Sequence, residues 1–97
     1  MKAKEYFEKY KDDISNDNPE KCSDAIMSLY SEMRDELFEI VEKRNIKYKQ
    51  SFIDTVNEFN KKWNMIKKMF DEKTEIKCPM KQDAFKDVLL DLLEKAK

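Results

Sequence analysis

The chain of 97 residues contains no glycine, no histidine, two prolines and two cysteines. Without glycine, tight turns that need a positive φ have only Asn or Asp to use, so hairpin-rich β folds are disfavoured. The lack of glycine also excludes the loops that cradle phosphates in nucleotide-binding folds. The lack of histidine removes the commonest general acid–base and the commonest metal ligand. These absences favour a helical protein and disfavour most enzyme classes.

Long apolar runs are also missing. No stretch approaches the roughly 20 apolar residues of a membrane span, and no apolar run follows the first residues, so we expect no membrane segment and no signal peptide. The two cysteines, Cys22 and Cys78, match no zinc or redox spacing. We therefore expect a cytoplasmic protein with reduced thiols and no cofactor. The many Lys and Asn residues suggest an AT-rich genome, such as that of a low-GC bacterium or its phage, which is compatible with a phage or mobile-element accessory protein.

An apolar stripe at steps of three and four residues is the strongest pattern present, and it predicts an amphipathic helix. Its members are Phe52, Val56, Phe59, Trp63, Ile66 and Phe70. The preceding segment has a looser stripe that includes Met33 and Leu37. Asn18 and Pro19 suit a helix start, and Asn45 is the best left-handed stop in a chain without glycine. Two long helices are predicted, over 19–44 and 47–71.

Shorter amphipathic patterns predict an N-terminal helix over 3–14 and a C-terminal helix over 82–96. Together the patterns predict one all-α domain over 1–97. We expect a small antiparallel bundle of three or four helices, built on the long hairpin. The alternative is one continuous rod over 18–71, paired with a second chain, because the apolar phase can be carried across the gap through Tyr48.

Several apolar residues lie off the main stripes, and surface of this kind often marks an interface. They are Met27, Phe38, Ile53, Met69 and Met80. We therefore expect a homodimer joined through the two long helices. The leading hypothesis is a non-enzymatic helical protein that acts by associating with itself or with another protein, such as a phage accessory protein.

An acidic run on the second helix suggests a different function. Glu36 and Glu39 form an ExxE pair, and Asp87 belongs to an acidic row on the last helix. Carboxylates one helical turn apart can hold Mg²⁺, and bundles build such sites from facing helices. Helical geometry nevertheless places Asp35, Glu39 and Glu42 opposite the apolar stripe, and only Glu36 approaches its flank, so we expect these acids to face water.

Two overlapping ExxE pairs, Glu36 with Glu39 and Glu39 with Glu42, in a small helical bundle resemble the all-alpha NTP pyrophosphohydrolases of the MazG-like family. The segment from Arg44 to Phe52 also resembles a Lys-Asn-x-Asp-Tyr-Gly segment of phage members. The resemblance covers about a third of the chain and implies Mg²⁺-dependent hydrolysis of nucleoside triphosphates. This chain has Lys47 and Lys49 in place of the Asp and Gly, and the ExxD pair that follows in the family is absent.

Charge is unevenly distributed along the chain. Residues 1–42 carry 6 basic and 12 acidic side chains, a net −6, whereas residues 43–70 carry 8 and 2, a net +6. Lys61 and Lys68, flanked by Asn57 and Asn64, form a basic stripe opposite Trp63 that could follow a phosphate backbone. Lys reads bases poorly compared with Arg, so nucleic acid is the less favoured partner. Complementary charge between helices or subunits is the alternative explanation.

Overall fold

The computed structural model describes residues 1–73, 76 and 78–95. This part of the chain is all-helical, with four helices and no strand. They are α1 (Ala3–Ile14), α2 (Pro19–Lys43), α3 (Lys49–Lys73) and α4 (Lys86–Lys95). None of the helices in these ranges combines the length and apolarity needed to cross a membrane. Helix α2 ends one residue earlier than predicted, and α3 begins and ends two residues later than predicted, which is the ordinary uncertainty of helix termini.

The chain reverses direction between α2 and α3, so the hairpin forms and the continuous rod does not. Asn45 has a φ of 51°, the left-handed conformation expected of the helix stop. Its N–H donates to the carbonyl oxygen of Glu42 at 3.1 Å, and the N–H of Ile46 donates to that of Val41 at 3.1 Å. This pair of bonds is a Schellman motif, which satisfies the last carbonyl groups of α2.

The four helices alternate in direction, as their side-chain pairings show. Tyr6 bonds Glu36 and Tyr10 bonds Glu32, so α1 runs antiparallel to α2. Helix α1 also packs against α3, and Phe7 meets Phe70 with ring centroids 4.7 Å apart. Helix α4 runs antiparallel to α3 and packs against it. The result is compact, with extents of 44 × 21 × 18 Å.

The apolar stripes form the core of the single chain. All eight residues singled out from them are buried: Phe52, Val56, Phe59, Trp63, Ile66, Phe70, Met33 and Leu37. The residues off the main stripes, which were expected to mark an interface, differ in how far they are buried. Met80 is buried in the core, and Phe38, Ile53 and Met69 are half-buried, whereas Met27 is 62% exposed. The apolar surface open to a partner is therefore smaller than the sequence pattern indicates.

An aromatic cluster joins α2, α3 and the start of α4. The Phe85 ring stacks on Tyr30 with centroids 5.0 Å apart, and it meets Trp63 edge-on at 5.8 Å and Phe59 edge-on at 6.0 Å. The indole Nε1 of Trp63 donates to the carbonyl oxygen of Lys81 at 2.5 Å. Burying the indole therefore leaves no unsatisfied donor on it, which burial of a polar group otherwise makes costly.

Helix α4 begins later than predicted, at Lys86 instead of residue 82, and the expected last residue, 96, lies outside the described residues. The cause is a set of hydrogen bonds between two asparagine side chains of α3 and the turn before α4. The Asn64 side chain accepts from the N–H of Asp83 at 3.0 Å and donates to its carboxylate at 2.7 Å. Asn60 accepts from the N–H of Phe85 at 2.7 Å. Asp83 takes a positive φ of 52°, which ends any helix through it.

We expect Trp63→Ala to lower the free energy of unfolding by about 3–5 kcal/mol, because it removes a very large, fully buried ring of the cluster and leaves a cavity. Urea unfolding followed by far-UV circular dichroism measures the change. Tyr48→Ala is the control, since Tyr48 is 79% exposed and its truncation should cost less than about 0.5 kcal/mol. A loss below about 2 kcal/mol for Trp63→Ala would contradict a central position in the core.

Candidate functional site

Glu36, one of the three candidate metal ligands, forms part of the contact between α1, α2 and α3. Its carboxylate accepts a hydrogen bond from the Met1 ammonium at 2.8 Å and another from the Tyr6 hydroxyl. The Lys62 ammonium of α3 lies 3.7 Å from the same carboxylate. The Glu36 side chain is only 24% exposed. The expectation that these acids face water is therefore wrong for Glu36, which docks α1 onto the hairpin.

Glu32 repeats this arrangement one turn earlier on α2. It accepts from Lys9 Nζ at 2.6 Å and from the Tyr10 hydroxyl. The two tyrosines on α1, Tyr6 and Tyr10, are four residues apart, and so are the two glutamates on α2, Glu32 and Glu36. Residues at that spacing share a helical face, so two antiparallel helices can align both pairs at once. The two tyrosine–carboxylate bonds therefore set the register of α1 against α2.

The pKa shifts agree with a docking role for these groups. Burial alone would raise the pKa of Glu36, but hydrogen bonds from the Met1 ammonium and Tyr6 outweigh it and lower that pKa. The pKa of Glu32 is lowered in the same way by Lys9 and Tyr10. Burial and the bond to Glu32 raise the pKa of Tyr10 to about 12, and burial with the bond to Glu36 raises that of Tyr6. Both tyrosines are therefore hydrogen-bond donors at neutral pH and poor general bases.

The three candidate metal ligands are not brought together. Glu39 is exposed and pairs with Lys43 one turn along its own helix, at 2.9 Å. Asp87 is exposed on α4, with its carboxylate 3.5 Å from Lys81 Nζ. Glu36, Glu39 and Asp87 thus have separate cationic partners, on different elements. Within the described ranges, no cluster of three His, Cys, Asp or Glu residues could hold a metal ion.

The other candidates, Lys61 and Lys68, line a groove between α3 and α4 of about 610 Å³. Lys86 of α4 adds a third ammonium to its walls, and Met65 and Leu89 supply apolar surface. Its remaining lining residues are Asn57, Asn60, Asn64 and Asp83. We call this feature the α3–α4 groove. It combines positive charge with apolar area, which suits a partner that carries acidic and apolar groups together.

Residues on α4 complete this groove, and sequence reasoning did not find them. The basic stripe of α3 is visible from its helical spacing, but Lys86 and Leu89 carry no signal that associates them with it. Their placement follows from the bonds of Asn60 and Asn64 to the turn before α4. The tyrosine partners of Glu32 and Glu36 were also missed, although the matched four-residue spacing on the two helices is a usable signal.

We predict that Tyr6→Phe lowers the free energy of unfolding by about 1.5–3 kcal/mol, because it removes a hydrogen bond to a charged, half-buried carboxylate. The chain offers a matched control, since Tyr48→Phe makes the same change at an exposed site. Chemical denaturation of both variants measures the difference. If the two substitutions have equal effects, the bond to Glu36 does not hold α1.

Acid should also weaken the bundle. The pKa values of Glu32 and Glu36 in the folded protein are below the ordinary 4.5. Their contribution to stability is therefore present above that pH and is lost as the pH falls through the folded-state values. We expect the urea midpoint to drop in this acid range, with a smaller drop for Glu36→Gln. An equal acid dependence in Glu36→Gln and the unaltered protein would refute the role assigned to Glu36.

No family model, curated protein or solved structure matches this chain in the three comparisons made. The resemblance to the MazG-like hydrolases therefore depends on the residues quoted above. Of those residues, Glu36 is bonded to α1 and Glu39 is bonded within α2. The arrangement assembled by the described residues is instead a basic and apolar groove on one side of α3 and a row of acids on α2.

Proposed function

We propose that this protein is a non-enzymatic binding protein that forms a homodimer, with the acidic face of α2 in one copy seated on the α3–α4 groove of the other. The observation that carries the proposal is the groove itself, which presents three lysines beside apolar side chains. A groove of that composition favours an acidic helix surface that also carries exposed apolar side chains. The outer face of α2 offers exposed acids together with Met27.

The acidic face of α2 consists of Asp35, Glu39 and Glu42, all exposed. Their steps of four and three residues place them in one row along the helix. Asp24 lies eleven residues before Asp35, which is about three helical turns, and so continues the row toward the N-terminus. Lys43 neutralises Glu39 only through an exposed pair on the same helix, a kind of interaction that contributes little and exchanges readily.

The two charged rows match in length. Asp35 and Glu42 are seven residues apart, as are Lys61 and Lys68, so each pair spans about 10.5 Å at the helical rise. Two helices laid antiparallel or parallel can therefore bring both ends of the rows together. Lys61 and Lys68 are exposed, so the lost hydration is modest compared with that of a buried pair. Charge complementarity of this kind contributes more to the specificity of the contact than to its strength.

Exposed apolar side chains supply the remaining attraction. Met65 lines the groove and is 49% exposed, and Leu90 of α4 follows the groove residue Leu89 and is 62% exposed. On the other side of the contact, Met27 projects from α2. Burying large apolar side chains on association contributes the hydrophobic part of the affinity.

Twofold symmetry would allow the contact to form twice. In an isologous dimer, when residue i of one copy touches residue j of the other, j also touches i. Each copy would then provide one acidic helix and one groove. Stable dimers bury about 800 Å² on each partner, which is roughly an eighth of the 6609 Å² surface of this chain. Two helix-on-groove contacts are of the right scale for that area.

A charge exchange tests this arrangement. We expect Lys61→Glu with Lys68→Glu, and separately Glu39→Lys with Glu42→Lys, to weaken the dimer about tenfold or more, because both contacts then oppose like charges. An equimolar mixture of the two variants should recover the dimer, since both contacts become attractive again. Sedimentation velocity at low and high salt measures the association. Lys47→Glu with Lys49→Glu makes the same change in net charge elsewhere and serves as the control.

A monomer for the unaltered protein at tens of micromolar would refute the homodimer. Dimerisation that resists both reversals would refute the assigned faces. The groove lysines also favour one second candidate, a nucleic-acid backbone, because the same three ammonium groups could contact phosphates. Salt-sensitive binding of labelled DNA or RNA that is lost in the Lys61→Glu, Lys68→Glu variant and kept in the control would support that candidate.

A further inference from the structure

Cys22 and Cys78 meet at the first turn of α2, although they lie far apart in the sequence. The Sγ atom of Cys78 donates to the carbonyl oxygen of Pro19, the first residue of α2, at 3.3 Å. Cys22 follows one turn later on the same helix. Helical side chains lean toward the N-terminus and cover the turn before their own Cα. The Cys22 sulfur therefore lies over the same turn that Cys78 contacts.

The two thiols differ in exposure. Cys22 is completely buried in the core, whereas Cys78 is half-buried and can be reached from solvent. Burial, followed by the charge and hydrogen bond of the neighbouring Cys22 thiol, raises the pKa of Cys78. The thiols are thus direct neighbours, with one open to a reagent and the other behind it. This order suits an exchange in which an external disulfide reacts first with Cys78 and Cys22 completes the reaction.

We propose that Cys22 and Cys78 are a covalent modification site. A small disulfide such as glutathione disulfide oxidises the two thiols, and they form an intramolecular disulfide with each other. The Cys78 thiolate attacks one sulfur of glutathione disulfide, forms a mixed disulfide and releases one glutathione thiolate. The Cys22 thiolate then attacks the Cys78 sulfur and releases the second. The two cysteines lose two electrons, which reduce glutathione disulfide to two thiols, and the cysteine protons pass to them.

The bond would join α2 to the segment that leads into α4. Two residues after Cys78, Met80 is buried in the core, and the carbonyl oxygen of Lys81 accepts from Trp63. This segment is therefore already seated on the bundle when the thiols are reduced. A crosslink between positions that the fold holds together restricts the unfolded chain more than it alters the folded one. Oxidation should therefore stabilise the bundle.

The test treats the reduced full-length chain with glutathione disulfide and measures its intact mass, free thiols and melting temperature. We expect a loss of about 2 Da, the mass of two hydrogen atoms, with no thiol left to titrate. The melting temperature should rise by about 10 °C or more and return on reduction. Cys78→Ser should show no change in any of the three, because its remaining thiol is buried.

Three results would overturn the proposal. One is a lasting glutathione adduct on Cys78 in the unaltered chain, which would show that Cys22 cannot reach it. Another is a disulfide-linked dimer in the denatured mass spectrum. The third is an unreacted folded chain under conditions in which the urea-unfolded chain is fully oxidised. Because mass is read on the denatured chain, these outcomes are independent of the proposed homodimer.

Discussion

The structure depends on the apolar face of α3. Helix α3 packs against each of the other three helices, α1, α2 and α4. Its stripe from Phe52 to Phe70 supplies the surface on which each neighbour buries its own apolar side. Trp63 lies in the middle of this stripe and joins α2 to the start of α4 through Tyr30 and Phe85. A bundle of 97 residues has room for one such core, so the peripheral helices have no other place to pack.

Polar side chains decide how the peripheral helices sit on that core. Apolar packing alone would tolerate several registers, because apolar side chains of similar volume can replace one another at low cost. Glu32 and Glu36 accept from two tyrosines of α1, and a shift of one turn would leave half-buried carboxylates unpaired. Asn60 and Asn64 do the same for α4 by bonding the backbone before it. Each peripheral helix is thus positioned by one pair of polar residues four apart.

The proposed function depends on a similar distinction between polar residues near the core and polar residues at the surface. The carboxylates nearest the core are hydrogen-bonded to α1, and those on the outer face of α2 are exposed to solvent. Placing α4 on α3 gathers the lysines of two helices into one groove. The acidic row of α2 and the lysines of the groove therefore form two separate charged patches on one small molecule. Patches of opposite charge favour oriented association.

Local signals in the sequence were enough to predict the helices and most of the core. The stripe of α3 follows from spacing alone, and Asn18 and Asn45 mark the start and the end of α2 by short-range hydrogen bonds that need no other element. The start of α4, which lies next to Asn60, could not be predicted from such local signals. Nothing local distinguishes residue 82 from Lys86 as a helix start, because the competing bonds come from another helix.

The residues of the candidate sites also fall into two groups, those placed by local periodicity and those placed by contacts between helices. The sequence by itself determined that Glu39 would be exposed and that Lys61 and Lys68 would share one face, since helical periodicity sets both. Only the tertiary structure decided that Glu36 accepts hydrogen bonds from Met1 and Tyr6 and that Lys86 lines the groove. It also decided that Cys78 contacts the turn before Cys22. Each of these depends on how distant helices pair, which is set by packing and polar contacts across the whole core.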